Sequence, residues 1–289
     1  YNSVGGKTAT EKKLIKNKYV VCLDYCVPLV DLMSADVGIN NVTVKSGSTE
    51  LINNTSTSGI DYYTNFADKV PAAKLTFGGT YDLSIGRNTI SNSVNYKAWV
   101  DWNIDGDFAD AGEEVYSSGT ISGASASGKF TVPDISNSFE GNTRMRVGVS
   151  YGAFSNSYCG INTVGEFEDY VLTLANDGQA PVITLVGGDT VRVEKTASKT
   201  ACYSEVAGTT FKGSDATEGD MTSKVVVTTD LDCSAPGIYT FRFDLRDASG
   251  NNAVTKFRTV IVALDKTAPK LTLNGKDTMV LEQCDTYTE

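Results

Sequence analysis

The sequence predicts an all-β chain of sandwich modules, and three observations predict it. Short runs alternate apolar with polar residues, as in Tyr96–Trp102, Arg144–Val149, Val225–Thr229 and Tyr239–Leu245. Clusters of Gly, Asn, Asp and Ser separate these runs, which are rich in Val, Thr, Tyr and Phe, as half-buried strands joined by turns require. No convincing 3.6-residue amphipathic stretch is present, the polar lead-in Thr8–Lys18 being the nearest approach. At 289 residues the chain has material for about two domains.

Composition removes several function classes. The net charge is −10 and the pI about 4.6, so the basic footprint of a nucleic-acid or anionic-membrane partner is missing. With no His in the chain, Ser-His-Asp and Cys-His hydrolysis and His-ligated zinc are excluded. No apolar run approaches the 18 or so residues that span a bilayer, so membrane insertion is not expected. Six Cys without paired C-x-x-C spacing, in an acidic chain rich in Gly, Ser and Thr, predict an oxidising, extracellular setting with disulfides.

The domain boundaries come from a repeat. The stretch D-G-Q-A-P-V-I-T-L-V-G-G-D-T from Asp177 recurs as D-K-T-A-P-K-L-T-L-N-G-K-D-T from Asp265, an offset of 88 residues. A period near 90 built of short strands is the size of one immunoglobulin-like sandwich, and the Pro after each linker suits an edge strand. Such modules are therefore expected from 177 and from 265. The second stops in mid-pattern, and the chain reads as a piece of a longer protein. Asp177, Asp215, Asp220, Asp247 and Asp265 fall in its turns and linkers, either as solvated turn residues or as ligands of further calcium at the module junctions. Cys202 and Cys233 lie within one module, where a bridge would close a loop of about 30 residues.

Residues 177–263 resemble the bacterial Ig-like repeats of surface proteins and pesticidal crystal proteins. The resemblance rests on A-P-V-I-T-L-V-G (180–187), G-S-D-A-T-E-G-D-M-T-S-K-V (213–225), S-A-P-G-I-Y-T-F-R-F (234–243) and D-A-S-G-N (247–251). It implies a spacer or stalk without catalysis.

The stretch Trp99-Val-Asp-Trp-Asn-Ile-Asp-Gly-Asp-Phe carries the clearest chemistry. Asp101, Asn103 and Asp105 are two apart and Gly106 follows, so alternate side-chain oxygens on a sharply turning chain can converge on a hard cation. Calcium is the expected ion, with Asp107 and Glu113 as further ligands. The spacing departs from a helix-loop-helix calcium site, since the twelfth loop position is Gly112 and Glu113 comes one later. The competing reading is an Asp/Gly turn with its carboxylates in water. Trp99 and Trp102 point to opposite faces of a strand, one to the core and the other either to the core, over the loop as a lid, or outward as a stacking surface.

Together with W-V-D-W-N-I-D-G-D-F (99–108), the segments G-E-E-V (112–115), F-T-V-P (130–133), T-R-M-R-V (143–147) and G-E-F-E-D-Y (165–170) resemble the GEVED domain, with Phe167 where the family name has Val. The resemblance implies a jelly-roll-like β-sandwich that serves as an accessory module in large secreted or surface proteins of bacteria. It also suggests a Cys26–Cys159 bridge. Glu166, Glu168 and Asp169 have three readings: pairing with Arg144 or Arg146, completion of the calcium shell by Glu166 or Asp169, or an acid and base acting on a glycosidic bond. Cys22 and Cys284 have no assigned partner.

The chain thus divides into 1–18, a linker or the end of a preceding segment; 19–176, the GEVED sandwich; 177–263, the Ig-like domain; and 264–289, the start of a second Ig-like domain. The expected function is non-enzymatic: a calcium-stabilised module string of a secreted bacterial cell-surface protein, in adhesion, as a structural stalk, or in gliding motility. Expected partners are other domains of the same long chain and surface glycans or proteins. The alternative is an accessory glycan- or protein-binding region of a secreted hydrolase such as a peptidase.

Overall fold

A computed structural model describes residues 24–32, 37–56, 62–88, 92–154 and 158–266, with scattered positions between 268 and 286. Segment 1–18, Cys22 and Cys284 lie outside the described residues. Among those described, regular structure is strand throughout, apart from short 3₁₀ turns such as Ile135–Asn137 and Thr222–Lys224. The expected all-β sandwich architecture is observed.

The first sandwich opens with β1 (Leu29–Leu32), β2 (Ile39–Ser46), β3 (Thr49–Thr55), β4 (Tyr63–Asn65), β5 (Ala73–Thr76) and β6 (Thr80–Arg87). It continues with β7 (Val94–Val100), β8 (Glu114–Ile121), β9 (Ser125–Thr131), β10 (Gly141–Tyr151) and β11 (Ile161–Ala175). One sheet runs β3-β2-β6-β9 and the other β1-β11-β10-β7-β8. The 15-residue β11 organises the second sheet. Antiparallel β10 lies along one edge, while β1, β4 and β5 pair in parallel with successive stretches of the other edge. Three short strands thus satisfy one long row of backbone donors and acceptors.

Alternation along β7 explains the core. Val94, Tyr96, Ala98 and Val100 point between the sheets, where they meet Val42, Val44, Leu83 and Ile85. Trp99 points the other way, into a cluster with Phe108 and Phe167. Both tryptophans are buried, Trp99 at 1 % and Trp102 at 4 % exposure, in different clusters. A second cluster outside the sheet means that this sheet is apolar on both faces, which is unusual for an antiparallel sheet with one solvated side.

The second sandwich comprises β12 (Val182–Leu185), β13 (Thr190–Glu194), β14 (Phe211–Asp215), β15 (Gly219–Asp220), β16 (Val226–Thr229), β17 (Gly237–Asp244) and β18 (Lys256–Ala263). Its sheets run β12-β14-β15 and β13-β18-β17-β16, around Ile183, Phe211, Phe241, Phe243, Val260 and Val262. Buried Arg258 of β18 is held by Glu205 at 3.0 Å and the Tyr203 hydroxyl at 2.9 Å. Cys202 and Cys233 are disulfide-bonded with Cα atoms 5.7 Å apart, and so are Cys26 and Cys159 at 6.0 Å.

Replacing Cys202 and Cys233 together by Ser is expected to destabilise the second sandwich by about 3–4 kcal/mol, because the unfolded chain regains the freedom of a loop of about 30 residues. The chain's two Trp both lie in the first sandwich. Denaturation followed by Trp fluorescence should therefore keep its midpoint, while the circular-dichroism transition of the second sandwich moves to lower denaturant. Coincident shifts by both probes would contradict independent unfolding.

Candidate metal centre

The loop between β7 and β8 is wound by its own side chains. The Asp101 carboxylate accepts the N–H of Asp105 at 3.2 Å and of Gly106 at 3.0 Å, and the Tyr25 hydroxyl donates to it at 2.8 Å. Asn103 Oδ1 takes the Asp105 N–H, Asp105 Oδ1 the Asp107 N–H and Asp107 Oδ1 the Ala109 N–H. Each is a carboxylate or amide bonding backbone two residues on, the local geometry Asp and Asn favour in turns. Glu113 closes the loop, with Oε1 on the Trp102 N–H and Oε2 on the Asp110 N–H. The backbone is left-handed at Ile104 (φ 56°) and Gly106 (φ 98°). For a β-branched residue that conformation is strained by about 1–3 kcal/mol and persists only because its surroundings impose it.

Asp101 and Glu113 are buried at 0 % and 1 % exposure, and among the described residues their oxygens are met by neutral donors. Burial pushes the Glu113 carboxyl up to about 7, opposed by the Asp110 N–H and reinforced by the charge of Asp101. Burial likewise raises Asp101, against the N–H of Gly106 and the Tyr25 hydroxyl. Asn103, Asp105 and Asp107 complete the loop at its more exposed side.

Glu166 does not join this group. It alternates with Phe167 along β11 and lies on the face toward the opposite sheet, where Oε2 accepts the Ile39 N–H at 2.6 Å. Asp101 follows Trp99 onto the other face, beside Tyr25 and Phe108. Glu168, on the same side as Glu166, accepts the Tyr170 hydroxyl at 2.6 Å while its Oε1 is buried with no donor. Burial pushes the Glu168 carboxyl up to about 7.

Asp169 takes the ion-pair reading. It stands directly opposite Arg146 in the β10–β11 register, and the guanidinium grips it twice, at 2.7 and 2.8 Å, with both side chains fully buried. Arg144 adds a contact at 3.2 Å and the Tyr63 hydroxyl one at 2.8 Å. Burial, then the Asp169 charge, pushes the Tyr63 hydroxyl up to about 12. Arg146 also donates to the Tyr158 carbonyl beside Cys159 and lies over the Phe108 ring. Sequence reasoning missed Tyr25 and Tyr63; their positions upstream of the matched motifs gave no signal for a role here.

Among the described residues, three or more carboxylate, His or Cys donors come together in one place only, at Asp177, Asp215 and Asp247. Of the five acids flagged at the module junctions, the structure brings together these three. Asp220 stays exposed on β15 and accepts the Thr222 N–H at 2.9 Å.

Fold and loop define two β-sandwich modules, each with its own disulfide, whose loops are braced by carboxylates. Residues 95–173 match the GEVED domain and residues 183–262 the bacterial surface protein, Ig-like domain. The chain therefore carries a GEVED domain followed by a bacterial surface Ig-like domain. The first match begins within β7, although β3, β2 and β6, three of the four strands of the opposite sheet, precede it. No curated protein matches the chain.

Several solved structures overlap with parts of it. The lipoprotein BT2262 from Bacteroides thetaiotaomicron is 22 % identical over 31 % of this chain, with a TM-score of 0.24, and the chain spans only 41 % of that lipoprotein. The fibronectin(III)-like modules of Clostridium thermocellum CbhA are 8 % identical over 70 % of this chain and 95 % of theirs, at a TM-score of 0.23. A 1.5-MDa bacterial ice-binding adhesin is 12 % identical over 68 % of this chain and 62 % of that one, at 0.22. Overlaps at this level constrain neither the fold nor the function of the chain.

Arg146→Ala should destabilise the first sandwich by about 3–5 kcal/mol, because it strips the buried Asp169 carboxyl of its bidentate partner and leaves it the single Arg144 contact and the Tyr63 hydroxyl. Urea denaturation read by Trp fluorescence measures it, and a loss below about 1 kcal/mol would contradict the role assigned to the pair. For Glu168 the raised pKa sets the sign. The native state holds the proton more tightly than the unfolded chain, so its contribution is fully present below about 4.5 and is lost as pH rises through about 7. Glu168→Gln should therefore flatten the fall in stability between pH 5 and 8 by up to about 3 kcal/mol, measured by urea midpoints at the two pH values. An unchanged slope in the variant would show that the carboxyl titrates normally.

Proposed function

We propose that the chain is a non-enzymatic, calcium-stabilised load-bearing segment of a bacterial cell-surface protein, acting in adhesion or as a stalk that includes surface motility among its settings. The match to a bacterial surface Ig-like domain and the two disulfides point to an extracellular or surface location. No helix among the described residues is long and apolar enough to cross a membrane. Partners on this reading are other domains of the same chain, with surface glycans or proteins as the objects of adhesion.

The observation that carries the calcium reading is the buried pair of carboxyls Asp101 and Glu113, met among the described residues by neutral donors inside a strained loop. A divalent ion offers what those donors lack, a positive charge, and the oxygens of Asn103, Asp105 and Asp107 would have to close in to supply the rest of a hard-cation shell. Binding would exchange the bonds between these oxygens and the loop's own N–H groups for metal ligation. Catalysis by Glu166 and Glu168 finds no support, since Glu166 holds backbone and Glu168 is buried against Tyr170.

A ligand bound only by the folded form stabilises it by mass action. Calcium should raise the fluorescence-detected melting temperature of the first sandwich in the full chain, and EGTA should reverse the rise. In the double variant Asp101→Asn, Asp105→Asn the calcium-dependent rise should shrink by the share that the loop contributes. A rise of the same size in that variant would overturn the loop as the ion's position.

A further inference from the structure

The three acids that the fold gathers lie where the two sandwiches meet. Asp177 sits in the connector between β11 and β12, Asp215 ends β14, and Asp247 begins the 247–251 turn between β17 and β18. One ligand atom from each lies within 4.8 Å of the others. That turn also docks on the first sandwich. Ala248 is part of its core cluster, the Ala248 carbonyl accepts the Ile135 N–H at 2.8 Å, and Asn176 Nδ2 donates to the Ser249 carbonyl at 2.6 Å.

Two observations show that the cluster is not complete as protein alone. Asp215 Oδ1 takes the N–H groups of Thr217 and Glu218, but its Oδ2 is buried and has no donor. A buried carboxylate oxygen left without a partner is rare and strongly destabilising. Beside it, the single amide nitrogen of Asn251 is crowded by Gln179 O at 2.6 Å, Asp247 Oδ2 at 2.8 Å, Asp177 Oδ1 at 2.9 Å and Asn176 Oδ1 at 3.5 Å. An NH₂ group has two hydrogens and cannot serve four acceptors. Among the described residues no Lys or Arg forms an ion pair with any of the three acids. Burial, with the charges of Asp177 and Asp215 adding to it, raises the Asp247 carboxyl.

We propose that the junction binds a divalent cation through Asp177, Asp215 and Asp247, with Asn176, Asn251 and the Gln179 carbonyl as further oxygen donors, and that the ion clasps the two sandwiches at a fixed angle. The donors are all oxygen and include three carboxylates and a backbone carbonyl, the set that suits calcium. Asn251 would turn its amide so that Oδ1 replaces Nδ2 toward the ion. The three carboxylates then restrain three different segments: the connector, the end of β14 and the turn that packs on the first core. Without the ion the three charges repel, and the connector is the part free to yield. This inference goes beyond the loop reading and stands without it.

Calorimetric titration of the full chain with calcium tests the site. Wild type should show a binding event that both Asp215→Asn and Asp177→Asn abolish, while Asp101→Asn with Asp105→Asn retains it. Asp177 lies outside every strand, so its variant reports on the ion even if Asp215→Asn weakens the fold. Small-angle scattering should show calcium narrowing the distribution of inter-sandwich distances in wild type and leaving it unchanged in Asp177→Asn. Titration of both junction variants with the full wild-type stoichiometry and affinity would overturn the site. Calcium binding without any change in wild-type scattering would overturn the clasp.

Discussion

The structure depends on one strand having both of its faces and both of its edges occupied. β11 presents Tyr170, Leu172 and Leu174 to the sandwich core and Phe167 and Asp169 to the opposite side, so the sheet cannot leave either face in water. An apolar outer face is covered here by Tyr25, Tyr63, Phe108, Phe154 and Tyr158, which come from loops and short strands. Those segments have little regular structure of their own to hold them. The buried Asp169–Arg146 pair and the Cys26–Cys159 bond pin them, the first by charge and the second covalently. A buried ion pair is weak evidence of net stability, since desolvation offsets most of the attraction. Its value is directional: the bidentate grip, shared with Tyr63 and with the Tyr158 carbonyl, admits one arrangement of the covering segments.

The acidic loop inherits its geometry from that cover. Phe108, in the middle of the loop, packs on Tyr25 and Tyr158, and Tyr25 in turn donates to Asp101. Aromatic cover and carboxylate winding are therefore one construction. The same burial that stabilises the aromatics raises Asp101 and Glu113, so a cation at this loop and the hydrophobic cover would reinforce each other.

Period-two runs separated by turn residues made the all-β class legible. The Cys202–Cys233 bond followed from position within one module. The parallel pairing of β1, β4 and β5 on β11 was not legible, because three- and four-residue strands carry too few residues to show a period and parallel partners lie far apart in sequence. Arg146 opposite Asp169 was one of three readings of G-E-F-E-D; choosing among them needed the strand register, which sequence spacing does not contain. Glu166 shows the same limit. One residue of alternation separates it from Phe167, and that step sends it to Ile39 rather than to Asp101.

The two acidic groups also differ in why they were or were not visible. Asp101, Asn103 and Asp105 are local, so their spacing could be read directly, yet locality equally lets them bond the backbone N–H groups beside them. Asp177, Asp215 and Asp247 are tens of residues apart and converge only once both sheets and the connector are formed. Backbone N–H groups meet only part of that cluster, which is why Asp215 Oδ2 is left over. A cluster of distant carboxylates with a surplus oxygen is a stronger pointer to a cation than a local acidic run that its own turn satisfies. All three acids belong to the Ig-like module and its lead-in, and Asp265 repeats Asp177 at the next lead-in. If the junction holds a cation, a module copied with these acids would copy the joint, and the repeat spacing would set the spacing of the joints.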